Sequence, residues 1–153
     1  IGMDFIYSGL VSGIIATAAM TLTEIPSWRK WALLGVFGWH ENQILATRFF
    51  HTAPNELDFK YIFFLHFLNG SLAGIAFPLI LSILSIDITQ DYVLVFSVVY
   101  GFVLWIATLV PIHKPITGNP LWNHNLGHLP SIASLICHLI YGLVLGIVMM
   151  MYF

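Results

Sequence analysis

The sequence predicts an all-α integral membrane protein: a four-helix bundle made of a duplicated two-helix hairpin, with an interfacial helical segment between spans 1 and 2. Three observations predict it. The 153 residues are 59% hydrophobic and 8% charged, against roughly 25% charged in a soluble domain, so too little polar surface exists to face water. Four apolar runs, residues 5–23, 61–86, 92–112 and 131–153, approach or exceed the roughly 20 residues a bilayer crossing needs. Two of them carry one motif: His66-Phe-Leu-Asn-Gly-Ser-Leu-Ala-Gly-Ile and His138-Leu-Ile-Tyr-Gly-Leu-Val-Leu-Gly-Ile. One domain over 1–153 is expected. A net charge of −2 without a basic patch argues against nucleic acid as a partner. The single cysteine, Cys137, rules out an internal disulfide.

The first span carries Gly9, Gly13 and Thr17 on one helical face, a small-residue groove of the kind that lets membrane helices approach closely. Glu24 and Pro26 are expected to end it, ahead of the headgroup-level cluster Trp28, Arg29, Lys30 and Trp31. The connection over 25–60 reads as two short interfacial helical pieces, with Asn55 as N-cap of the second span. In the second span Gly70 and Gly74 make the groove, and Pro78 strands the carbonyl of Gly74, which predicts a kink and a small apolar site there. The third span ends at Pro111, and Pro115, Gly118 and Pro120 argue against regular structure up to Pro130, which suits the first turn of the fourth. There Gly142 and Gly146 repeat the groove. The motif recurs at an offset of 72 residues, and Ile-Ala-Thr at 15–17 and 106–108 is a weaker echo in the first and third spans.

All five Lys and Arg lie in or beside the connections 1–2 and 3–4. The positive-inside rule therefore predicts those connections to be cytoplasmic, with both termini outside a cell membrane.

Seven histidines belong to the cytoplasmic half. His66 and His138 occupy equivalent motif positions inside spans, where polar residues mark function by default. They are the leading candidates for a metal or haem site, with haem, copper and zinc as the groups imidazole would take. His124 and His128, at helical spacing, are a second candidate pair. The plainer reading is that each imidazole bonds a neighbouring helix and fixes packing. No nucleophile motif, phosphate loop or dinucleotide fingerprint is present.

The stretch Gly9-Leu-Val-Ser-Gly-Ile-Ile-Ala-Thr-Ala-Ala-Met-Thr21, with His66-Phe-Leu-Asn-Gly70 and Cys137-His-Leu-Ile-Tyr-Gly-Leu-Val-Leu-Gly146, resembles small uncharacterised four-span membrane proteins of the YagU-like and DUF6789-like families. The resemblance implies the fold and carries no activity.

The expected function is a non-catalytic accessory subunit of a larger membrane complex, with lipids and other transmembrane subunits as partners and no cofactor of its own. Respiratory and oxidase/monooxygenase complexes are the candidate hosts. The alternative is a haem- or metal-binding membrane protein using the paired histidines.

Overall fold

The computed structural model describes residues 3–86, 90–117 and 126–152. It is all-helical, with no strand among the described residues. Five α-helices follow in order: α1 (Met3–Trp31), α2 (Phe37–Ile44), α3 (Phe59–Ile83), α4 (Gln90–Thr117) and α5 (Leu129–Met150). Three of them, α1, α3 and α5, are long and apolar enough to cross a membrane. The 25 residues of α3 rise about 37 Å at 1.5 Å per residue, more than the roughly 30 Å of a bilayer's hydrocarbon.

The helix α1 packs against α3 and α5, and α5 packs against α4. Tyr100 joins α4 to α3 by donating to the Ala73 carbonyl (2.7 Å) beside the Phe77 ring. The core between them holds Ala16, Met20, Phe77, Val93, Tyr141, Leu145 and Met149. The short helix α2 lies against α3, α4 and α5.

The small residues set the close approaches. A Cβ on Gly74 would stand 2.5 Å from the Cα of Gly13, and one on Gly9 would stand 2.8 Å from the Gly74 carbonyl oxygen. A Cβ on Gly70 would strike the Thr17 hydroxyl, so the first-span and second-span grooves fill each other. On the other side Gly142 and Gly101 meet backbone of α4 and α5 respectively, and Gly146 meets Ser97. The expected apolar site beside Gly74 and Pro78 is therefore occupied by α1.

Several boundaries differ from expectation. Glu24 and Pro26 do not end the first helix; α1 continues to Trp31, and Ala32 in the left-handed region (φ 52°) marks its end. Pro26 removes one backbone bond, while Glu24 is buried and held by α2 instead of facing headgroups. Trp28 and Trp31 accordingly belong to α1, and the connection's own helical pieces include α2 with the π-helical turn Leu45–Phe49. Asp58 replaces Asn55 as the cap of α3: its backbone is extended and its carboxylate accepts from the Tyr61 amide at 2.7 Å. Asn55 sits in a separate 3₁₀ turn, Pro54–Glu56. The helix α4 runs through Pro111 and Pro115 to Thr117, and α3 runs through Pro78. Pro130 falls in the first turn of α5, as expected.

Candidate functional site

His66 on α3 and His138 on α5, which hold the same position of the repeated motif, line the same cavity. It measures about 80 Å³. Thr17 and Met20 contribute from α1, Gly38, Glu41 and Asn42 from α2, Asn69, Gly70 and Ala73 from α3, Leu104 from α4 and Tyr141 from α5. The motif explains this directly. His, the residue three positions on (Asn69 or Tyr141) and the first glycine fall on one helical face, and the glycine lets the adjoining helix come close enough to enclose the space.

Both histidines are buried and both are bonded. His138 Nδ1 lies 2.8 Å from the Ser134 carbonyl of its own helix, which turns Nε2 away from that helix. His66 Nε2 lies 3.0 Å from the Thr21 hydroxyl and 3.8 Å from Glu24 Oε2. Glu24 Oε2 also accepts from the Trp39 indole at 3.0 Å. A buried carboxyl group in an apolar bundle is costly unless satisfied, and the Trp39 indole of α2 supplies a donor to Oε2.

Trp39 seals the cluster. Its ring stacks on His66 (5.0 Å between centroids) and on Phe59 (5.1 Å), with Trp28 edge-on at 5.5 Å. Farther along α2 Asn42 accepts from Asn69 and donates to the Gly38 carbonyl. Phe37 packs with Trp105. Burial raises the Glu41 carboxyl of α2 from 4.5 to about 7.

Of the remaining candidates, His124 lies outside the described residues. His128 is exposed at the start of α5 with no side-chain capping bond, so it does not join the cavity. His51 is exposed, with a positive φ of 52°. Among the described residues no three His, Cys, Asp or Glu side chains come together as a metal-binding group. Gly9, Gly13, Gly70, Gly74, Gly142 and Gly146 all pack inside the chain.

Sequence reasoning missed Glu24, Trp39, Asn42, Asn69 and Tyr141. Asn69 and Tyr141 did leave a signal, because they hold the same slot of the repeated motif. Trp39 and Asn42 sit in a connection whose docking on the bundle no periodicity reveals.

Neither a curated protein nor a solved structure matches the chain. The family model of DUF6789, a family of unknown function, matches residues 3–153, and the chain belongs to that family.

Proposed function

We propose that this is a four-span membrane protein that binds a small ligand in the cavity beneath α2 and performs no catalysis of its own. One observation carries the reading: the two histidines of the repeated motif converge on one cavity, where Glu41, Asn42 and Asn69 join them among apolar neighbours. Packing alone would not need both imidazoles at one hollow, together with Glu41 and two amides. The volume, about 80 Å³, is far below the roughly 300–1,000 Å³ of pockets that bury drug-sized molecules. That favours water-sized ligands or ions over a porphyrin.

Four crossings are supported by the ends of the chain. Asp4, Phe5, Tyr7 and Ser8 share a hollow with Tyr152, so the first and last helices meet at one end. An even number of crossings brings both ends to one face, and α4, apolar over Asp91–Ala107, is the fourth. We read α1 with α3, and α4 with α5, as two copies of a hairpin, since each pair is joined through glycines. A cell membrane with the α2 end cytoplasmic is the orientation favoured by the basic residues.

The reading is tested by native mass spectrometry of protein released from lipid nanodiscs, alongside thermal shifts with a panel of small solutes and ions. Binding that both His66→Ala and His138→Ala abolish supports it. Absence of any ligand, with both variants melting as the wild type, overturns it.

An accessory role in a larger membrane complex, respiratory or oxidase/monooxygenase included, is the second reading. It draws on the lack of a three-residue metal-ligating group among the described residues. The glycine grooves no longer argue for it, because they are filled within the chain. Stoichiometric partners in a gently extracted sample would favour it.

A further inference from the structure

We propose that the cavity beneath α2 takes a small cation bearing N–H donors, ammonium or a short primary alkylammonium. The inference rests on the ligand-site reading above and names its ligand class.

The argument follows the protons. A hydroxyl has one proton to give. Thr17 gives its proton to the Gly13 carbonyl (2.6 Å), and Tyr141 gives its own to the Gly70 carbonyl (2.6 Å). Both oxygens therefore offer the cavity lone pairs only. Ser134 O can only accept, so the proton of neutral His138 is on Nδ1, and Nε2 keeps its lone pair. Thr21 donates to the Thr17 carbonyl (2.7 Å), so it must accept from His66 Nε2. The lone pair of neutral His66 is then on Nδ1, beside Gly38. Glu41 as a carboxylate is an acceptor as well. Asn42 and Asn69 each retain one amide proton, the donors that remain after their mutual bond and the bond to Gly38.

The cavity thus presents many lone pairs and few protons, which suits a ligand that supplies protons of its own. His138 is 8% exposed, and its Nε2 has no hydrogen-bond partner among the described residues. Its lone pair is available to a cavity ligand that brings a proton of its own. Glu41 as a carboxylate favours positive charge. The volume, about 80 Å³, compares with the roughly 10–15 Å³ that one water needs. It admits ammonium or methylammonium. A metal ion fits less well, because no three ligating side chains converge among the described residues.

The test is isothermal titration calorimetry of the full chain in nanodiscs, in slightly alkaline buffer, with ammonium chloride and methylammonium chloride. Tetramethylammonium, a cation without N–H, and zinc chloride are the comparisons. One site for methylammonium is expected, with no heat from tetramethylammonium. Glu41→Gln and His138→Ala should each weaken binding roughly tenfold to hundredfold, the loss expected for a charge-assisted hydrogen bond. Glu41→Gln keeps the side-chain shape and serves as the reporter should the histidine variant fail to fold. No binding of either N–H cation to folded protein, or equal binding of tetramethylammonium, overturns the proposal. Zinc binding that His138→Ala removes, without a methylammonium response, overturns the cation class and leaves the ligand site standing. Silence to every titrant and to the solute panel ends both.

Discussion

At the scale of single residues, Glu24 and His138 separate structure from ligand binding. Glu24 accepts a hydrogen bond from Trp39 and faces His66, so it joins α1, α2 and α3 through one carboxyl group. Glu24→Ala leaves a buried indole N–H unmatched and should cost about 1–3 kcal/mol in thermal unfolding, while Glu24→Gln retains an acceptor and costs less. His138 bonds within its own helix, so its replacement should change stability by less than about 1.5 kcal/mol, although it should weaken binding of the proposed ligand. Glu41 sets the pH response. Its carboxyl is raised by burial from 4.5 to about 7, so its contribution to stability is full below pH 4.5 and falls away as pH rises through about 7. A cation binds the carboxylate and opposes that loss, so methylammonium affinity should rise across the same interval. The titratable groups near it among the described residues are His66 and His138, whose protonation would remove lone pairs and act in the same direction, with Tyr141 and Glu24 on the adjoining helices. Calorimetry of Glu41→Gln across neutral pH isolates the carboxyl's share, seen as a flattened rise.

At the scale of helices, lipid gives no hydrophobic reward for bringing apolar faces together, so close backbone packing decides which helices pair. Gly74 and Gly142 sit against backbone, at Gly13 and Ser97, and backbone cannot swing aside as a side chain can. Gly74→Ala and Gly142→Ala should each destabilise the bundle by roughly 1–3 kcal/mol, as overpacking does. Ala18→Leu, on an exposed face of α1, should be near neutral; unfolding in mixed detergent distinguishes them. The existence of these grooves was legible in the spacing of Gly9, Gly13, Gly70 and Gly74, and so was the apolar character of the long helices α1, α3 and α5. Helix ends were less legible. Pro26, Pro111 and Pro115 looked like stops because each removes a donor, yet the helices run through them, one lost bond being tolerable in a long helix. The spacing also could not say which groove fills which, and so left open a site at Gly74 that α1 closes.

At the scale of the whole molecule, the cavity exists because the two copies of the motif enter the bundle from one end. The helices α3 and α5 both begin at the α2 end, which places His66 and His138 at similar depth and lets α2 roof them. The histidine pair was therefore legible from the repeat, whereas the roof was not. The docking of α2 depends on Trp39, Asn42 and Phe37 meeting partners on four other helices, a long-range match invisible in local pattern.

The same geometry fixes a topological prediction. Arg29, Lys30, Arg48 and Lys60 all lie beside the α2 end, while Asp4 and Tyr152 share the opposite one. A membrane potential and translocation machinery that retain basic loops inside would leave α2, and the mouth of the cavity, facing the cytoplasm. Cys137, the one native thiol, is buried and free, so it should stay silent to an impermeant maleimide. Against that background Arg48→Cys should be labelled only after the cells are opened, and Tyr152→Cys in intact cells. The reverse pattern would place the cavity's mouth outside. An ammonium-class cation would then have to be drawn from the external medium, not from the cytoplasm, and the role inferred for the site would change accordingly.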